Sequence, residues 1–152
     1  MSDVINAQGQ LLDPDPWAEF ERQSLDDWAE LNGPTVLRLA HDLDAASIPQ
    51  SVLDTAAGIE LEFPAFSDGR AYSQARKLRE RGVRLGIRAT GDVLADQLLY
   101  MRRCGFDSFA LAAGQSLDTA LQCLAAFKVA AQPSFDDQGL KQRRTFARGG
   151  AA

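Results

Sequence analysis

The sequence predicts an α/β fold: four successive βα units on a parallel sheet, half-barrel-like or open, with the helices on the apolar face. Three observations predict it. From residue 35 onward, short apolar runs alternate with longer amphipathic stretches, at a spacing that fits right-handed parallel crossovers. Glycines stand where the helical stretches should stop, at Gly58, Gly82 and Gly105. The strand runs alternate apolar and charged residues, so each strand has one apolar and one charged face.

The elements follow in order. "TVLRLAHD" reads as a strand. "ASIPQSVLDTAAG" reads as a helix with Ser47 as its cap, Pro49 in the first turn and Gly58 at its end. "IELEFPAF" is the second strand, and "YSQARKLRERG" a helix closed by Gly82. "VRLGIRAT" is the third strand. "GDVLADQLLYMRRCG" is a helix that Asp92 can cap and Gly105 can end. "FDSFALAAG" is the fourth strand, before a final helix, "SLDTALQCLAAFKVAA", capped by Ser116. Residues 35–131 thus make the α/β domain. Residues 1–34 read as an N-terminal extension with a short acidic helix over 25–31, packed on the body through Trp17 and Trp28. Residues 132–152 are polar and Gly-rich and read as a flexible tail.

A parallel sheet covered on both faces usually reads as near-continuous Val, Ile and Leu. Here Leu37 and Leu39 flank Arg38, Leu61 and Phe63 alternate with Glu60 and Glu62, and Val83, Leu85 and Ile87 alternate with Arg84 and Arg88. Opposite charges on neighbouring strands can form a ladder, Arg38 to Glu60 or Glu62 to Arg84 or Arg88. The charged face must meet water, the N-terminal segment, the interior of a barrel-like assembly, or a second subunit, which would make a homodimer.

The 152 residues suit one domain. A net charge of −5 argues against nucleic-acid or anionic-membrane binding. No apolar run approaches the ~18 residues of a membrane span. The N-terminus lacks a signal-peptide pattern, and two isolated cysteines, Cys104 and Cys123, fit a reducing compartment, so a cytoplasmic location is expected. No metal site is expected from one histidine and no zinc spacing. No cofactor is evident: there is no GxGxxG, Walker pattern, Fe–S cysteine set or haem motif.

In parallel α/β folds ligands bind beyond the carboxyl ends of the strands. That rim gathers His41, Asp42, Ser67, Asp68, Arg70, Tyr72, Ser73, Thr90, Asp92, Gln115 and Ser116, with Arg88 near the end of its strand. The ligand-binding candidates are Asp68, Arg70, Tyr72, Ser73, Arg88, Asp92, Asp96 and Gln97. Arg70 and Arg88 would hold a small oxyanion or carboxylate through parallel N–H bonds, with Asp68 and Asp92 orienting them. The competing reading is that Asp68 and Arg70 only lock their own turn. His41, beside Asp42 and Asp44, is either a general base or a loop hydrogen-bonder. Cys104 reads as a buried, inert thiol and Cys123 as core.

The motifs FPxFxDGRxYSxAxxLRxR over 63–81, the stretch from Ile87 to Gln97, and RRCGFDSF over 102–109 resemble domain-of-unknown-function family 934, small bacterial proteins described as oxidoreductases involved in sulfite reduction. Ala71 stands where that pattern commonly has Gly. The resemblance implies an accessory role in assimilatory sulfite reduction beside sulfite reductase or its electron donor. Any oxidoreductase activity is implied by the resemblance alone.

Overall fold

Alternate side chains along each strand differ in chemistry, and the fold keeps the two sets on separate faces. The computed structural model describes residues 2–28 and 33–125. Among these, strands β1 (Val4–Asn6), β2 (Glu21–Ser24), β3 (Thr35–Leu39), β4 (Gly58–Phe63), β5 (Ile87–Gly91) and β6 (Ser108–Ala110) form one sheet in the order β1-β6-β5-β4-β3-β2. β2 to β6 run parallel, and β1 is antiparallel to β6. β1 and β2 lie at opposite ends, so the sheet is open. Helices α1 (Gln50–Thr55), α2 (Arg70–Glu80), α3 (Leu98–Cys104) and α4 (Leu117–Ala125) complete an α/β fold.

The register makes the two faces explicit. Leu39, Leu61, Ala89, Phe109 and Ile5 pair in one row across five strands, and each is fully buried. Leu53 of α1, Ala75 and Leu78 of α2, Leu98 and Met101 of α3 and Ala120 and Leu124 of α4 join the same core. Burying one such Leu, Ile or Phe stabilises by roughly 1.5–3 kcal/mol. One residue back along the strands, Ser24, Arg38, Glu60, Arg88 and Ser108 make a second row, facing the other way.

The N-terminal segment covers much of that charged row. It also supplies both edge strands, which its reading as a docked extension does not anticipate. Trp17 lies against the backbone of β4, where a Cβ on Gly58 would sit 2.4 Å from the indole. The Arg88 guanidinium stacks over the indole at 4.2 Å. Arg88 also donates to both carboxylate oxygens of Asp15, at 2.8 and 2.7 Å, and to Ser108 Oγ. Glu60, similarly buried, accepts from Arg22 at 3.0 Å and Arg38 at 3.5 Å. The Arg38–Glu60 rung of the expected ladder therefore forms. Arg88 turns to Asp15, and Glu62 is exposed opposite Thr90.

Several boundaries differ from expectation. Gly58 opens β4 instead of ending a helix, and α1 stops at Thr55, with Ala56 already extended. Asp44, not Ser47, caps the short 3-10 turn before α1, and Pro49 precedes α1 without capping it through a side chain. The third strand starts only at Ile87. Asp92 caps no helix, because its carboxylate is taken by the backbone N–H of Phe66. Ser116 does cap α4 through Thr119 N–H, and Gly82 and Gly105 end α2 and α3 with positive φ. Residues 25–28 form a turn, and residues 29–31 of the helix expected over 25–31, the end of the last helix and the 132–152 tail lie outside the described residues.

Gly91 closes β5 with φ +87°, and a Cβ there would lie 2.4 Å from the Phe63 carbonyl oxygen. That obstacle is backbone and cannot swing away. Gly91→Ala is expected to destabilise the protein by at least about 2 kcal/mol, read as a lowered urea midpoint with unchanged m-value. A midpoint equal to wild type would show that the β4–β5 edge relaxes freely.

Candidate functional site

The carboxyl ends of β3, β4 and β5 deliver three loops to one rim. Asp92, just past β5, accepts a 2.8 Å hydrogen bond from Phe66 N–H in the loop before α2. This bond ties the second and third loops together and places Asp92 on the same edge as Arg70. Gln74, on α2, ties the first loop: its amide nitrogen donates to the carbonyls of Ala40 at 2.8 Å and Leu43 at 2.7 Å.

The Asp68-Gly69-Arg70 corner is a self-paired turn. Asp68 Oδ1 accepts from Arg70 N–H at 3.0 Å, which fixes the entry into α2. The same carboxylate accepts from Arg70 Nε and Nη2. The Arg70 side chain, and then its backbone N–H, pull the Asp68 carboxyl down to about 2. The same ion pair raises Arg70 above its ordinary value. The Nε/Nη2 edge of Arg70 is thus already occupied by Asp68.

Beside this corner lies an open cleft of about 290 Å³. The β3–α1 loop contributes His41, Asp42 and Asp44 to it, and α2 contributes Arg70, Ser73, Gln74 and Lys77. Lys77 Nζ lies 3.2 Å from Asp44 Oδ1. Asp44 titrates below the usual carboxylate range, chiefly through the Ala46 N–H it accepts and then through Lys77. Gln74 and Lys77 carry no sign of this role in the sequence, where they sit inside a polar helical run.

The other expected site residues are placed differently. Tyr72 packs edge-on against Phe63 and Tyr100, and its hydroxyl approaches Gln97 Oε1 at 3.4 Å. Burial pushes the phenol up to about 12, so it stays protonated and serves packing. Asp96 is exposed. Arg88 does not reach the rim with Arg70, because it points to the opposite face and is held by Asp15. Cys104 is buried as expected, whereas Cys123 is only half-buried. Among the described residues no group of three or more His, Cys, Asp or Glu could hold a metal ion, and no helix is long and apolar enough to cross a membrane.

Within the motif over 63–81, packing and internal bonding account for Phe63, Asp68, Arg70, Tyr72, Ala75, Leu78 and Arg79. Phe66 is different. It is 51% exposed on a loop that Asp92 holds in place.

Comparisons with curated proteins and with solved structures give no match. A family model described as "Bacterial protein of unknown function (DUF934)" matches residues 36–140, from β3 through every loop of the rim. That span exceeds half of the 152 residues, and the chain belongs to this bacterial family.

Proposed function

We propose that the protein is an accessory component of assimilatory sulfite reduction and docks on sulfite reductase or on its electron donor. The motif resemblance supports the pathway. The observation that carries the docking reading is Phe66, a large aromatic held out to solvent on a pinned loop, within a motif whose other aromatics, Phe63 and the partly buried Tyr72, pack on the core. Aromatic anchors of this kind supply a large share of binding energy when a partner pocket covers them.

The test is direct binding of the purified chain to purified sulfite reductase and, separately, to its electron donor. Micromolar or tighter binding to one of them is expected. Phe66→Ala should weaken it at least about tenfold, equivalent to ~1.4 kcal/mol, while leaving stability within about 0.5 kcal/mol of wild type because the ring is half-exposed. Absence of binding to both proteins would overturn the proposal.

A further inference from the structure

The stretch RRCGFDSF over 102–109 is almost wholly taken up by the fold. Cys104, Gly105, Phe106, Ser108 and Phe109 are buried. Arg102 donates to the Ala7 carbonyl, and Asp107 accepts from Arg79 and from Ile87 N–H. Arg103 is the exception. It is partly exposed near the end of α3 and makes no hydrogen bond or ion pair among the described residues. Tyr100 stands three residues earlier on the same helix, and so beside Arg103 on its surface. Tyr100 is 48% exposed, and its ring meets Tyr72 of α2 at 4.7 Å. One turn along α2 from Tyr72, Arg76 is exposed. Its neighbours are the Cys104 thiol and the Tyr100 phenol, and Glu80 acts on it only as a weaker charge, outside ion-pair contact. Arg22, Arg38, Arg70, Arg79 and Arg88, by contrast, each hold a carboxylate. Two arginines without a paired carboxylate therefore flank an exposed tyrosine at the α2–α3 seam.

Tyrosine and arginine are the side chains in which binding energy concentrates at protein interfaces. The guanidinium groups call for carboxylates on the other side. A chain of net charge −5 repels extended polyanions at long range, so a local cationic patch on it suits a short acidic stretch of a folded protein and not a phosphate backbone. We propose that the α2–α3 seam, through Tyr100, Arg76 and Arg103, receives an acidic segment of the same partner that covers Phe66. The proposal rests on the docking reading and adds to it the chemistry of the partner's surface. One partner can span both features. Asp92 holds the loop of Phe66, and Gln97 of the same segment meets the hydroxyl of Tyr72, whose ring lies against Tyr100. An ordinary interface covers about 800 Å² on each side.

The experiment is calorimetric titration of the full chain into purified sulfite reductase and, separately, into its electron donor, at low and at raised salt. The affinity of the wild-type chain should fall as salt is added, because opposite charges meet across the interface. Arg103→Glu and Tyr100→Ala should each weaken binding at least about tenfold at low salt. Arg103 has no bond to lose within the described fold, so the urea midpoint of Arg103→Glu should match wild type and separate a binding effect from misfolding. Wild-type affinity in either variant, or an affinity indifferent to salt, would overturn this inference. If Phe66→Ala still weakens binding in that case, docking through Phe66 stands without it. No binding of the wild-type chain to either protein would overturn both.

Discussion

Replacing Arg79 with methionine is expected to destabilise the protein by more than about 4 kcal/mol, a large part of the 5–15 kcal/mol typical of a whole domain. The side chain leaves α2 and is only 5% exposed. Its five N–H donors are all used. Nε and Nη2 bond the Gly105 carbonyl, Nη1 bonds the carbonyls of Val83 and Leu85, and Nη2 also bonds Asp107. One guanidinium thus clamps the end of α2, the approach to β5 and the turn from α3 into β6. Gly105 is part of the device, because a Cβ there would lie 2.7 Å from Arg79 Cγ. Methionine fills much of the volume but strands three carbonyls, each costing about 1–3 kcal/mol when left unmatched, and takes the ion pair from Asp107, which is 38% exposed and keeps the Ile87 N–H. Lysine should not rescue, since its three donors on one nitrogen cannot span the planar fork. Urea titration followed by circular dichroism is the measurement. An Arg79→Met midpoint equal to wild type would refute the clamp.

The α/β class was legible because it rests on local patterns: period-two alternation, glycine stops and the apolar stripe of α2. The charged face was legible too, down to the Arg38–Glu60 rung, because cross-strand neighbours follow from register. What covers that face was not. β1 and β2 are three and four residues long, and β2, "ERQS", has no apolar residue. Such edge strands are defined by partners far along the chain, Val4 by Ala110 and Glu21 by Thr35, and no local periodicity reports them. Arg88 was misplaced for the same reason. The sequence does not fix where the strand ends relative to Arg88, which lies three residues before the carboxyl end of β5, and its carboxylate, Asp15, lies 73 positions away. At the candidate site, the Asp68–Arg70 pairing was visible as one reading of a three-residue turn. The cleft was only half visible. His41, Asp42 and Ser73 follow from strand ends, whereas Gln74 and Lys77 enter only because α2 leans on the β3–α1 loop.

The strap over the charged face should respond strongly to loss of one residue. Asp15→Ala is expected to destabilise the protein by about 3 kcal/mol, because it leaves Arg88 as an unpaired charge that is only 3% exposed. The double variant Asp15→Ala with Arg88→Met should recover a substantial part of that loss, since removing both partners of a buried pair is far less harmful than removing one. The pH dependence has a definite sign. Burial by itself would raise the Asp15 carboxyl. The Arg88 hydrogen bonds, the Trp17 N–H and the nearby Arg88 and Arg22 charges outweigh burial and lower it overall. The folded carboxyl therefore titrates below the unfolded one, near 3.9. Its contribution is complete above the unfolded value and disappears as pH falls through the folded one. Asp68 has the same sign, so wild-type stability on acidification reports both groups. The difference between wild type and Asp15→Asn isolates one. That difference should be constant at neutral pH and shrink on acidification below about pH 4. Trp17 offers a second readout, because its indole carries the Arg88 guanidinium and rests on Gly58. If the strap loosens, Trp17 emission should shift to the red in Asp15→Ala before global unfolding. A difference that grows on acidification, or an unshifted tryptophan in a destabilised Asp15→Ala protein, would mean that the N-terminal strap is held by something other than this ion pair.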